Sequence, residues 1–184
     1  ATARSLAVLS GNKEAAALIA EKGGPISVAA VALEALRAGQ SPEKLERSQL
    51  GRGEIECLAF AAANGRAETV KELVQLGWPL NDFFYHDGSP LHWSCWHGHF
   101  EAAKALIEAG ADLRLKDPRF QSDPLGWVCH GSVFAHPRKP DYPRIAEALL
   151  EAGAEPFEVT PQSFGRPDVL KIVKSACRKR GKSD

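Results

Sequence analysis

The feature that most constrains this 184-residue chain is a pair of segments that match each other without a gap. The spacing from Gly65 to Gly98 equals the spacing from Gly77 to Gly110, and it corresponds to a repeat period of about 33 residues. The matching segments are CLAFAAANGRAETVKELVQLGWPLN (57–81) and PLHWSCWHGHFEAAKALIEAGADLR (90–114). Each has the pattern of a short helix, a glycine turn and a second helix, and such a unit leaves one face uncovered. The chain is therefore predicted to stack similar units against one another.

The helix boundaries in the second segment are marked by residues with strong positional preferences. Ser89 can cap the first helix with its hydroxyl, and Pro90 suits the first helical position, where no N–H is needed. Gly98 breaks this helix, and Gly110 ends the next one in the left-handed conformation. The apolar stripe of the second helix consists of Ala102, Ala103, Leu106 and Ile107. These signals predict two helices joined by a tight turn.

Three short motifs identify the repeat type. SPLH (89–92), GH (98–99) and GAD (110–112) resemble the TPLH, GH and GAD motifs of ankyrin repeats, with Ser in place of Thr. A generic helical-hairpin array, such as tetratricopeptide repeats, would have a slightly longer period and would lack the Pro-Leu-His start. The resemblance implies an all-α ankyrin-repeat solenoid of helix-turn-helix units linked by β-turn or hairpin loops, with a degenerate N-terminal part and a C-terminal cap.

The same pattern divides the chain as a single domain, 1–184. We expect a partial repeat (1–26), a degenerate helical segment (27–53), three repeats (54–83, 84–116 and 117–155) and a C-terminal cap with a basic tail (156–184). In the degenerate segment we predict a helix over 28–38 and a short helix from Ser41-Pro42 to about Gln49. The third repeat is expected to be capped by Asp123 and to carry an insertion near 133–141, a surface loop that folding does not need.

The composition excludes several classes of protein. Lys plus Arg and Asp plus Glu both total 23, so no overall field favours nucleic acid or an anionic membrane. No apolar run approaches about 18 residues, and the four cysteines form no CxxC pair. We therefore expect a soluble, cytoplasmic protein with four free thiols and no membrane contact. The chain contains no Met, so its start is expected to have been processed or cut from a longer protein.

The histidines and cysteines between 86 and 136 could suggest a zinc site. The resemblance instead gives Cys95 and Cys129 the small buried position of the first helix, and it gives His92 and His99 structural roles. No metal and no cofactor are therefore expected. The sequence has no GxSxG, P-loop or HExxH motif, so neither an enzyme nor a small-molecule substrate is expected.

Aromatic residues in the β-turn before Ser89 indicate where a partner binds. In an ankyrin stack, turn tips and the outer side of the first helices line a concave groove. Trp93 and Trp127 are expected at its floor. The predicted partner-binding residues are Phe83, Phe84, Tyr85, His86, Trp96, His97, Arg119 and His130. The alternative is that the degenerate segment or the insertion folds over these rings.

The predicted function is a non-catalytic protein-protein interaction scaffold that binds an unknown protein partner through this groove. Two alternatives stay open: a regulatory or targeting arm of a larger enzyme, and a nucleic-acid contact through the basic tail.

Overall fold

The computed structural model describes residues 7–8, 27–84, 87–135 and 140–180, and these ranges contain eight α-helices and no β-strand. The helices are α1 (Val28–Arg37), α2 (Arg52–Ala63), α3 (Ala67–Gln75), α4 (Pro90–Trp96), α5 (Phe100–Glu108), α6 (Pro124–Phe134), α7 (Tyr142–Glu151) and α8 (Pro167–Arg180). The predicted all-α class is therefore confirmed.

The helices form two parallel rows of contacts. In one row α2 packs against α4 and α4 packs against α6, and in the other row α1, α3, α5, α7 and α8 pack in that order. Each helix of the first row also packs against the next helix in the chain, which gives the pairs α2–α3, α4–α5 and α6–α7. The arrangement is the predicted solenoid of helix-turn-helix units, in which each unit contacts its neighbours.

The first-row helices are held together by a leucine and a small residue at equivalent places. Leu58, Leu91 and Leu125 are fully buried, and the residues four positions after them are Ala62, Cys95 and Cys129. Because burial disfavours the thiolate, the pKa of Cys129 is raised to about 12. The cysteines thus act as small apolar residues, and all four in the chain are free thiols.

The predicted helix caps are present. The Ser89 hydroxyl accepts a hydrogen bond from the His92 N–H, and Asp123 accepts one from the Gly126 N–H at 2.9 Å. After α4 the chain turns at Gly98, where φ is +69° and an added Cβ would lie 2.6 Å from the Pro140 Cβ. Both the backbone conformation and the lack of space therefore require glycine there.

His92 links its own repeat to the next. Its Nδ1 accepts from the Ser89 N–H, and its Nε2 donates to the Ser122 carbonyl at 3.2 Å. Burial lowers the pKa of His92 to about 4, so the ring is neutral near pH 7. In the same way His99 Nε2 contacts the Ala63 carbonyl of the preceding repeat at 3.1 Å. The predicted structural roles of both histidines are confirmed.

The predicted short helix from Ser41 to Gln49 is wrong. Only Arg47–Gln49 forms a single 3-10 turn. A helix starting at Ser41 would direct the Leu45 N–H to the Ser41 carbonyl, but this N–H donates to the Leu76 carbonyl at 2.8 Å. The buried Leu45 side chain and this bond hold the segment against the end of α3.

The predicted insertion near 133–141 begins within helix α6 and is fixed at its other end. Helix α6 continues through Phe134, and 136–139 lie outside the described residues. The Asp141 N–H donates to the Gly98 carbonyl at 3.0 Å, and buried Tyr142 donates its hydroxyl to the Trp96 carbonyl at 3.0 Å. The expectation that folding does not need the insertion can therefore apply only to its part before Pro140.

The last helix closes the stack. Helix α8 runs from Pro167 to Arg180 within the expected C-terminal cap, and a turn at Pro161 and Gln162 precedes it. There the Thr160 N–H donates to Ser163 Oγ, which makes a local turn. Helix α8 buries Val169 and Val173 as it packs against α7, and its charged residues lie exposed. It covers the end of the solenoid, as a capping repeat must.

Folding stability is expected to fall as the pH is lowered from about 6.5 to 4. The unfolded chain protonates His92 near its ordinary pKa of about 6.5, whereas folded His92 stays neutral down to about 4. Between these values the unfolded state binds more protons, so acid favours unfolding. Burial also lowers the pKa values of His97 and His99, which act in the same direction.

Urea denaturation at pH 7 and pH 5 measures this effect. His92 should account for about 2 kcal/mol of the loss between these pH values. The variant His92→Gln should therefore show a clearly smaller loss, and exposed His130→Gln is the matched control. An equal loss in His92→Gln and the unmodified chain would contradict the assignment.

Candidate functional site

Three tryptophans from two neighbouring repeats meet on one side of the first-row helices. Trp93 and Trp96 are three positions apart on α4, and therefore share a face, and Trp127 lies on α6. The Trp127 ring is edge-on to both, with centroids 5.5 Å from Trp93 and 5.7 Å from Trp96. Edge-to-face contacts at these distances are favourable, so the rings hold one another in place.

The rim beside these rings is a loop built on a buried carboxylate. Asp117 Oδ1 accepts from the backbone N–H groups of Arg119 and Phe120, at 3.0 and 2.6 Å. Its Oδ2 accepts from the Ser122 N–H and from Trp127 Nε1, both at 3.0 Å. Asp117 is fully buried, and it thus joins the loop to the tryptophan cluster.

The ionised form of Asp117 is the one that this geometry stabilises. Burial raises the pKa of Asp117, but the hydrogen bonds from Trp127 and from three backbone N–H groups outweigh burial and bring the pKa below its ordinary value. The negative charge is therefore kept beneath the loop and is already bonded to four donors.

The loop and the three rings line an open cavity of about 710 Å³, which we name the tryptophan groove. Its lining residues are Trp93, Trp96, Arg119, Phe120, Gln121, Ser122, Trp127 and His130. Phe120 is 63% exposed, and the Arg119 guanidinium lies 5.1 Å from the centre of its ring. Large exposed rings beside a cavity of this size are typical of binding sites.

A second, smaller cavity of about 250 Å³ lies on the other side of Trp93, and we name it the adjacent pocket. Its lining residues are Glu56, Ala59, Phe60, Ala63, Asn64, Phe84, Trp93 and His97. The rings of Trp93 and His97 stack with centroids 5.9 Å apart. Trp93 is thus the wall that the two cavities share.

The structure brings most of the predicted binding residues to these cavities. Trp96, Arg119 and His130 line the tryptophan groove, and Phe84 and His97 line the adjacent pocket. The expected placement of Trp127 beside Trp93 is confirmed, with their ring centroids 5.5 Å apart. That these residues bind a partner stays a prediction.

The other predicted binding residues have different outcomes. Phe83 is exposed with its ring 6.5 Å from that of His92, and it is absent from the described linings of both cavities. Tyr85 and His86 lie outside the described residues. The alternative that the degenerate segment covers the rings is not seen for residues 27–53, because none of them lines either cavity.

Sequence reasoning missed Phe120 and Phe60, although the repeat register contains a signal for both. Phe60, Trp93 and Trp127 hold the same place in three successive first-row helices, each one repeat period after the last. Phe120 stands one repeat period after His86, so it takes the place of a predicted site residue in the next loop. Carrying each site position into every repeat would have found both phenylalanines.

Within 7–8, 27–84, 87–135 and 140–180, no group of three His, Cys, Asp or Glu side chains is placed to hold a metal ion. Among the helices that the structure describes, none combines the length and apolar character that crossing a membrane requires.

The carboxylate of Asp117 is expected to be essential for the loop. Asp117→Asn replaces one accepting oxygen by an NH₂ group, which would face N–H donors and leave them unpaired. A cost of about 2–3 kcal/mol in the free energy of unfolding is expected. Urea denaturation checks it, with Asp112→Asn as control, because exposed Asp112 accepts one bond in its own turn, from the Arg114 N–H.

The depressed pKa of Asp117 adds a pH signature. Its contribution to stability is complete above the unfolded pKa of about 3.9, and it is lost as the pH falls through the lower folded value. The destabilisation by Asp117→Asn should therefore shrink in acid below about pH 4. A variant as stable as the unmodified chain at pH 7 would show that the loop does not depend on this carboxylate.

Comparison with known proteins identifies the family to which the chain belongs. A family model of ankyrin repeats, in three copies, matches residues 5–117. Palmitoyltransferase AKR1 of Kluyveromyces lactis is 30% identical over 76 residues, which are 41% of this chain and 9% of the transferase. The match thus covers less than a tenth of that relative. Since the family model covers more than half of the chain, the chain belongs to the ankyrin-repeat family.

Proposed function

We propose that this chain is a non-catalytic module that binds a protein partner through the tryptophan groove. Ankyrin repeats support a role in protein interaction. The observation that carries the proposal is the exposed ring of Phe120, a residue whose backbone N–H bonds to Asp117, beside a cavity lined by three tryptophans. A ring so exposed is not needed to hold the repeats together, but it is suited to contact another molecule.

The groove is organised before a partner arrives. The loop backbone at Arg119 and Phe120 is fixed by hydrogen bonds, and Trp127 is tied by its Nε1 to the same carboxylate. A partner therefore does not have to order this surface, and less free energy is lost on binding. Rigid aromatic residues at the centre of an interface commonly provide most of its binding energy.

The same groove can serve a larger protein. The matching segment makes up 9% of the length of the transferase that this chain resembles, so the alternative that these repeats are a regulatory or targeting arm of an enzyme stays open. In that case the repeats still act by binding, and the catalytic groups lie elsewhere. The cytoplasmic location stays a prediction.

Truncating the exposed ring should remove most of the binding. Phe120→Ala and Trp96→Ala are each expected to weaken capture of a partner by about thirtyfold, the effect of losing about 2 kcal/mol at a hot spot. The predicted residue Tyr85 should behave in the same way. Quantitative affinity capture from cell lysate, with unmodified and variant chains in parallel, measures the loss.

Two controls accompany this experiment. Val31→Ala shortens an apolar side chain that is 49% exposed on α1, outside the lining of the groove, and Lys171→Ala removes an exposed charge on α8. Neither should change capture. Full binding by both groove variants, together with loss in Lys171→Ala, would favour the basic tail, and binding that falls with rising salt would then indicate nucleic acid.

A further inference from the structure

We infer that the occupant of this surface is an extended peptide segment with two charges of opposite sign. A cationic side chain of the segment fits the adjacent pocket, and about three residues away an apolar side chain next to a carboxylate fits the tryptophan groove. This inference rests on the proposed function and specifies the chemistry of the partner.

The tryptophan groove presents one formal charge, and it is positive. Arg119 is the only Lys, Arg, Asp or Glu among the described lining residues. Its guanidinium is exposed over the Phe120 ring and forms no ion pair with a described residue. The nearby Asp117 carboxylate is buried and bonded to four donors. A carboxylate on the partner can therefore pair with the Arg119 guanidinium in this groove.

The adjacent pocket has the opposite sign. Glu56 is the only charged residue among its described lining residues, and the aromatic residues Phe60, Phe84 and Trp93 line the same cavity. A carboxylate among aromatic faces suits Lys or Arg, because the ion pair and the cation–π contact act together. Glu56 Oε1 lies 3.7 Å from Arg52 Nε, and the Arg52 side chain is 95% exposed. Such an exposed pair contributes little, so a partner cation can replace it.

The spacing of the two sites follows from the repeat. Phe60, Trp93 and Trp127 hold equivalent places on three neighbouring helices of the first row, and packed helices are about 8–10 Å apart. An extended peptide advances about 3.3 Å per residue, so neighbouring sites correspond to about three residues. Because the two cavities differ in charge, they also fix the direction in which the peptide lies.

Selection from a library of random dodecapeptides displayed on phage, with the full chain as bait, tests this inference. The expected outcome is enrichment of peptides that carry Lys or Arg about three residues from an apolar residue flanked by Asp or Glu. The affinity of a selected synthetic peptide should fall as the salt concentration is raised, because solvent reaches both protein charges, Arg119 and Glu56.

Charge reversal on the protein then identifies the sites. Arg119→Glu and Glu56→Lys should each weaken the selected peptide by about tenfold, since each replaces an exposed attraction by a repulsion of similar size. Reversing the matching peptide charge should restore binding to that variant. The controls Lys116→Glu and Glu101→Lys change the net charge equally at exposed positions outside both linings and should have little effect.

The outcomes separate this inference from the proposed function. Selected peptides without the charge pattern, or peptides insensitive to both reversals, overturn the inference, while the groove remains the binding site if Phe120→Ala weakens them. Failure to enrich any peptide overturns the extended-peptide occupant, and the capture experiment with Phe120→Ala then decides whether a folded partner uses the groove. Circular dichroism of each variant confirms that the helices are intact.

Discussion

No repeat in this chain can bury its apolar faces alone, so the contacts between neighbouring repeats support every other feature. The buried imidazole of His92 shows how local and long-range structure are joined. Its Nδ1 accepts a hydrogen bond from the Ser89 N–H at the start of α4, and its Nε2 donates to the Ser122 carbonyl just before α6 in the next repeat. The ring also contacts Trp127 edge-on at 5.1 Å. His92 therefore takes part in helix capping, in the stacking of neighbouring repeats and in the packing of the tryptophan cluster.

The parts of the fold that could be predicted are those whose cause lies within a few residues. Ser89-Pro90 and Asp123-Pro124 mark helix starts because the cap bonds to an N–H only three positions away. The short helix predicted from Ser41 failed for the opposite reason. The partner of the Leu45 N–H is the Leu76 carbonyl, and no local pattern reveals a partner so distant along the chain. The burial of Tyr142 against Trp96 was hidden in the same way.

The candidate site was predictable in its location more than in its composition. The repeat register placed Trp96, Arg119 and His130 near one another, because equivalent positions in stacked units are neighbours. It did not reveal how far each ring is exposed. The exposure of Phe120 depends on a loop that Asp117 organises through bonds to Trp127 and to backbone groups, and Asp117 belongs to none of the SPLH, GH and GAD motifs. A satisfied buried carboxylate has no signature in hydrophobic periodicity.

In the loop beside the groove, backbone atoms fix the shape and side chains form the exposed surface. Asp117 holds Arg119 and Phe120 by their backbone N–H groups, which nearly every amino acid supplies. Side chains at these two positions can therefore be exchanged while the scaffold stays the same, whereas Gln121, with φ at +52°, restricts the choice at its own position. Specificity can evolve, or be engineered by randomising two codons, at almost no cost in folding free energy.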